Sequence, residues 1–250
     1  QNCLLGVCES ASMLGYNVLI TTSNAHDISE LQSLVESNRV DGMLLTRALE
    51  DDRALQYLSQ ANFPTALTGT CRYDNIIQVD TDNEGAAEKM TTLLIGKGFR
   101  RFAFLVKDMS YNVDRKRHEG FCRALIKNGI SEKDQLFYNG SIRMEFLDAI
   151  IENIISKKVE CIICGDDEIC TMVMSRLQAE GYRIPKDVAI ASLYNSTNLD
   201  CYSPAVTAVS VAASQMGGTA VRQLIQRLRG ENYEKKTMLD YDILFRKSTN

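Results

Sequence analysis

The chain has 250 residues, 45% of them hydrophobic and 24% charged, with a formal net charge of −4. That is enough chain for one large domain or two lobes of ordinary size, with the balance of a folded globular protein. The mild acidity argues against a surface that grips nucleic acid by itself, and no apolar run approaches the roughly 18–20 residues of a membrane span.

Helical and strand patterns alternate from the first residues onward. Leu4, Val7, Cys8, Ala11 and Leu14 recur at helix spacing, and Gly15 can end that helix. "YNVLITTS" reads as a strand. Asp27 can cap a helix carrying Leu31, Leu34 and Val35. "GMLLT" is a buried strand, "DDRALQYLSQA" an amphipathic helix, and "TALT" and "IIQVD" are short strands. A helix over "NEGAAEKMTTLLIGKG" precedes the strand "RFAFLV". The helix "DRKRHEGFCRALIKNG" turns Phe121, Cys122, Leu125 and Ile126 inward. "QLFY" (strand), "MEFLDAIIENIISKK" (helix), "CIIC" (strand), "DEICTMVMSRLQAEG" (helix) and "VAIASL" (strand) continue the alternation. A helix over "SQMGGTAVRQLIQRLRG" and a last strand over "MLDYDILF" close it. Such alternation implies α/β architecture, with doubly wound parallel sheets covered by helices on both faces. Ligands of such sheets bind beyond the carboxyl ends of the strands.

That rule draws attention to "CIICGDDEIC", residues 161–170, which spans a strand end and a helix start. A metal centre would need converging ligands. Cys161 and Cys164 lie three apart on one strand and so point to opposite faces, while Cys170 is inside the helix. No second C-x-x-C and no nearby histidine complete a set. A redox C-x-x-C normally opens a helix, whereas this pair is within a strand. The eight cysteines sit mostly in apolar periodic segments and read as reduced thiols of a cytoplasmic protein. No metal and no cofactor is expected.

Several segments together resemble the effector-binding core of the LacI/GalR family of transcription regulators. "GYNVLITTSN" followed by "LVESNRVDGMLL" is similar to that family's second strand, helix and third strand. "VDTDNEGAAEKMTTLLIGKGFRRFAFL" resembles its D-N-x-x-G-A stretch and the following strand. "RHEGFCRAL", "RIPKDVAIASLYN", "YSPAVTAV…MGGTAV" and "LFRKST" match further family motifs in order and spacing. The resemblance covers essentially the whole chain. It implies a periplasmic-binding-protein-like type I fold of two doubly wound lobes, with the effector in a cleft between them. The expected lobes are residues 1–98 with 210–237, and 99–209 with 238–250. The family's helix-turn-helix and hinge helix are not in this sequence, and the first strand of the N-terminal lobe is expected to precede Gln1.

The same resemblance nominates the site. Arg117 matches the family arginine before x-x-G-F, which often reaches the effector; its fixed fork suits vicinal hydroxyls or a carboxylate. The alternative is a solvated helix charge. Asp166 falls where relatives place a small polar residue that touches the effector. A carboxylate at a helix N-terminus is stabilised as an anion and accepts from ligand hydroxyls or amines; equally, Asp166 or Asp167 can merely cap the helix, with Asp167 the expected cap. Tyr194 and Asn195 stand where relatives carry Asp-Asp or Asp-Asn, so the usual sugar clamp is replaced. Tyr194 can stack on an apolar pyranose face or pack at a hinge, and Asn195 can supply both donor and acceptor. Asp82 can face the effector or cap its helix. His118 has no second catalytic partner and is expected near the surface or behind the site.

The implied function is an effector-sensing regulator core that binds a small polar ligand, a sugar by preference. As a homodimer it would pass its state to an operator-binding domain outside this sequence, with no membrane partner. A solute-binding protein of a sugar transporter is the alternative. An enzyme is disfavoured: no Ser-His-Asp set, P-loop or G-x-G-x-x-G is present, and there are only two histidines.

Overall fold

In the computed structural model, residues 2–22, 27–140 and 144–250 are described. The chain divides into two compact units, residues 1–81 with 212–240, and 82–211 with 241–250.

In the first unit a parallel sheet runs in the order β1-β2-β3-β9: β1 (Met43–Leu45), β2 (Thr65–Thr68), β3 (Ile77–Thr81) and β9 (Lys236–Leu239). Helix α9 (Ala213–Leu228) lays Ala220 and Leu224 on Ala66, Ile77 and Val79. Helix α1 (Asn2–Met13) packs on α9 through Val7 and Ala11 against Val221 and Ile225. The opposite face takes α2 (Ser29–Glu36) and α3 (Arg53–Gln60), whose Leu31, Leu55 and Leu58 are buried. Asp52 caps α3, its carboxylate accepting from Leu55 N at 3.0 Å. The expected capping by Asp27 is displaced by one residue: Asp27 accepts from Ser29 N at 2.9 Å, but the N-cap position of α2 is Ile28.

The expected strand over "YNVLITTS" is not formed in its described part. Residues 17–22 carry no strand assignment, and Val18, Leu19 and Ile20 are exposed at 38%, 62% and 59%; Ser23 lies outside the described residues. Strand propensity needs a ladder partner to be realised, and β1 forms the end of the described sheet with only β2 beside it.

The second unit has a six-stranded sheet in the order β10-β8-β7-β6-β4-β5: β4 (Phe102–Val106), β5 (Leu136–Asn139), β6 (Cys161–Cys164), β7 (Ala189–Ser192), β8 (Thr207–Val211) and β10 (Tyr241–Leu244). All its pairings are parallel except β10 with β8. The single closing strand expected over "MLDYDILF" is therefore two strands, β9 and β10, separated at Asp240 and belonging to different units. Hydrophobic patterning is continuous across Asp240, so period alone could not reveal the change of sheet. The central strands are buried on both sides. One face packs on α4 (Asn83–Gly96) and α5 (Asn112–Lys127); the other packs on α6 (Met144–Ser156) and α7 (Asp167–Ala179). Cys161 joins the first of these cores and Cys164 the second, as two residues three apart on a strand must. The short helix α8 (Thr197–Cys201) follows β7.

Helix α4 counts with the second unit, whereas the expected boundary at 98–99 places it in the first lobe. Its Ala86, Ala87, Met90 and Leu94 share a core with Phe102, Phe104 and Phe121. Gly120 of α5 lets the two helices approach: a Cβ there would overlap the Glu84 carbonyl oxygen.

Candidate functional site at the carboxyl edge of the second sheet

Because β4, β6 and β7 run parallel, their carboxyl ends share one edge of the sheet, where Lys107, Gly165–Asp166 and Tyr194–Asn195 leave the strands. Helix α5 adds Asp114 and Arg117, which lie one turn apart on the same face. Both are 7% exposed. Arg117 is thus a buried group and not a solvated helix charge. Its Nη1 donates to the Gly165 carbonyl at 2.7 Å and its Nε to Asn83 Oδ1 at 3.2 Å. One guanidinium ties α5 to the β6–α7 turn and to the first residue of α4.

Asp166, not Asp167, is the cap of α7. Its backbone is extended (φ −142°, ψ 176°), and Oδ1 accepts from Ile169 N at 2.8 Å. Asp167 is already the first helical residue, so its side chain cannot fill the role that an extended N-cap residue fills. The other Asp166 oxygen, Oδ2, meets Lys107 Nζ at 3.1 Å, and Lys107 also pairs with Glu168. Burial works against the Lys107 ammonium, but Glu168 and Asp166 outweigh it and hold its pKa above the ordinary value. Burial pushes the Asp114 carboxyl up, opposed by the Asp108 amide that donates to it at 3.2 Å and by Arg117.

Asp82 caps α4, its carboxylate accepting from Gly85 N at 2.8 Å, and its side chain is exposed; the neighbouring Asn83 is the residue that touches Arg117. One strand away, the Ser192 hydroxyl donates to the Tyr194 carbonyl at 2.6 Å, and Tyr194 itself is half-buried. The Asn195 side-chain oxygen Oδ1 accepts from Arg246 Nη1 at 2.9 Å. His118 lies behind the edge, half-buried between Phe104 and Phe137 with ring centroids 5.7 and 4.3 Å away, and burial pushes its pKa down.

The structure thus brings Arg117 and Asp166 together around Gly165 and joins the start of α4 to them through Asn83. Tyr194 and Asn195 stand at the end of the neighbouring strand. Sequence reasoning missed Lys107, Asp114 and Arg246. The first could have been found, since it directly follows β4 on the ligand-binding edge; Asp114 could have been found from its three-residue offset to Arg117. Arg246 lies in "LFRKST", but its partners, 40 and 51 residues away, cannot be read from that motif. Among the described residues no His, Cys, Asp and Glu cluster has the arrangement of a metal site, and no helix is long and apolar enough to cross a membrane.

A buried arginine, a capping carboxylate paired with a lysine, and an asparagine amide held by an arginine thus lie along one edge of the sheet. Comparison with known proteins agrees with a binding role. The family model described as periplasmic binding protein-like domain matches residues 91–249. The HTH-type transcriptional regulator CelR of Thermobifida fusca is 27% identical, the match covering 98% of this chain and 74% of that protein. The solved transcriptional regulator CelR–cellobiose complex superposes with a TM-score of 0.87 at 26% identity, covering 99% of this chain and 78% of that one. Transcription regulator CcpA of Lactococcus lactis does so with a TM-score of 0.86 at 25% identity, covering 100% and 93%. The chain belongs to the periplasmic binding protein-like domain family, as the effector-binding core of a LacI/GalR-type transcriptional regulator.

Proposed function

We propose that the effector is a sugar, held by Arg117, Asp166, Tyr194, Asn195 and Asp82. The observation that carries this reading is that buried Arg117 is held on the Gly165 carbonyl, next to the helix-capping Asp166. Sugars present hydroxyls that both donate and accept, and this edge carries a buried guanidinium and a helix-capping carboxylate, each held in place by the protein. The half-buried Tyr194 ring provides a flat apolar surface of the kind that packs on a pyranose face. The solved cellobiose complex of a relative supports the choice of ligand class. In this reading the protein acts as a cytoplasmic homodimer. Sugar binding biases a two-state equilibrium, and the state is read out on operator DNA by a segment outside this chain.

The test is a thermal-shift panel of mono- and disaccharides that includes cellobiose. A true effector at about 100 times its Kd stabilises the fold by about 2.7 kcal/mol. The hit is then titrated into Asp166→Asn, which keeps a good N-cap but loses the anion. Affinity should fall by roughly 1.5–3 kcal/mol, the value of a hydrogen bond to a charged group. A panel in which no sugar raises Tm sinks the sugar reading. A hit whose affinity ignores Asp166→Asn removes that residue from the site.

A further inference from the structure

Arg246 follows β10 and reaches back to the β7–α8 loop. Its backbone is pinned on both sides: its N–H donates to Thr207 Oγ1 at 2.9 Å, and its carbonyl accepts from the same hydroxyl at 3.2 Å. The guanidinium is pinned as well. Nη1 donates to the Val206 carbonyl at 2.6 Å and to Asn195 Oδ1 at 2.9 Å, while Nη2 pairs with the Asp200 carboxylate. Only 18% of the side chain is exposed.

These contacts remove a freedom that an asparagine normally has. An amide can turn over by 180° and trade its donor for its acceptor. A guanidinium has only donors and keeps its proton at any ordinary pH, so the atom facing it must be the carbonyl oxygen. The orientation of the Asn195 amide therefore follows from chemistry. With Oδ1 turned toward Arg246, the amide can no longer turn over, and the end of the Asn195 side chain directed away from the guanidinium is the NH2 donor. The loop is held on its other side by Ser192, whose hydroxyl donates to the Tyr194 carbonyl.

We propose that Arg246 is a positioning residue of the effector site: it fixes which end of the Asn195 amide is the donor. The NH2 end of Asn195 then favours an effector that presents an oxygen acceptor to it, such as a hydroxyl lone pair or a ring or glycosidic oxygen, over one that presents an N–H to that end. This rests on the reading of Asn195 as an effector contact.

Two measurements on the full chain test it. The first needs no ligand: the side-chain NH2 resonances of Asn195 are followed by NMR, assigned through Asn195→Ala, and compared in Arg246→Lys and Asp200→Asn. A held carbonyl predicts that both changes move the amide pair and speed its rotation. An amide pair unmoved by Arg246→Lys overturns the proposal, whatever binds. The second is calorimetric titration with cellobiose. Asn195→Ala and Arg246→Lys should each weaken binding about tenfold or less, the scale of one neutral hydrogen bond. The double variant should be no worse than the poorer single one, because the arginine acts only through the amide. Additive losses, or a loss in Asn195→Ala with none in Arg246→Lys, overturn the role of Arg246 and leave the site reading intact. Cellobiose binding unchanged in Asn195→Ala overturns both. A wild-type chain that ignores cellobiose removes cellobiose as the effector; the titration is then run with the sugar that raises Tm in the panel, and the amide pair decides the orientation in either case.

Discussion

Asp114 of α5 carries its carboxyl into the interior of the second unit. It is 7% exposed, and burial raises its pKa despite the Asp108 amide, Arg117 and Lys107, with Asp166 adding to the rise. A carboxyl whose folded pKa lies above its unfolded value binds more protons in the native state than in the unfolded one. Stability therefore falls as pH rises from the unfolded pKa through the folded one, and the penalty is constant above that window. Asp114→Asn keeps an oxygen acceptor for the Asp108 amide and abolishes the titration. The variant should thus gain on the wild type as pH rises out of the acid range, which paired urea denaturations at acid and neutral pH would read. An advantage that is flat with pH, or largest in acid, would show that Arg117 fully compensates the buried charge. The residues around Asp114 also show what the sequence could and could not tell. That Arg117 turns inward and is not a solvated charge was legible from its motif, and the opening of a helix after "CIIC" was legible from the strand-end rule. That the cap is Asp166 and not Asp167 depends on one backbone conformation, which adjacent identical residues cannot reveal. Arg246 as the partner of Asn195 depends on the closing strand's place in the sheet.

Between elements, glycine decides how closely helices approach. A Cβ on Gly120 of α5 would overlap the Glu84 carbonyl oxygen and lie 3.0 Å from Ala87 Cβ. A backbone oxygen cannot rotate away as a side chain can, so Gly120→Ala must separate α4 from α5, at a cost of about 1–3 kcal/mol or more. A Cβ added to Gly96, at the end of α4, would meet nothing within 4 Å, so Gly96→Ala should be neutral or stabilising by up to about 1 kcal/mol through helix propensity. Midpoints of urea denaturation for the two variants should therefore move in different directions, or one should move and the other stay. Equal losses would mean that both glycines act through backbone conformation and not through packing. Element identity was mostly legible, because helices of 13–16 residues and doubly buried strands carry strong periodic signals. The failures lie where the signal is cooperative. "YNVLITTS" has strand propensity but no described ladder partner, and "MLDYDILF" has an unbroken apolar rhythm across a change of sheet.

At the scale of the whole molecule, the two-unit α/β plan was legible from the order and spacing of many weak motifs, none of which is decisive alone; sheet order and the antiparallel β10 were not, since strand pairing is set by contacts distant in sequence. The thiols offer a probe of this plan. All eight cysteines are free. Cys161, Cys164 and Cys170 are fully buried on both faces of the second unit's sheet, and burial pushes the Cys161 and Cys164 thiols up. Cys122, half-buried beside His118, is pushed up to about 11, mainly by burial. Cys201 is exposed on α8. Since the thiolate is the reacting form and must also be reached by the reagent, Cys201 should label first at neutral pH. Cys161, Cys164 and Cys170 should label only through opening of the second unit's core. Peptide mapping after timed alkylation would separate the sites. Those three should appear together, at a rate that rises steeply with urea, and Cys201→Ser should delete the fast phase without touching theirs. If Cys164 or Cys170 labels ahead of Cys161, the α6–α7 face opens independently of the α4–α5 face, and the second unit does not unfold as one cooperative body.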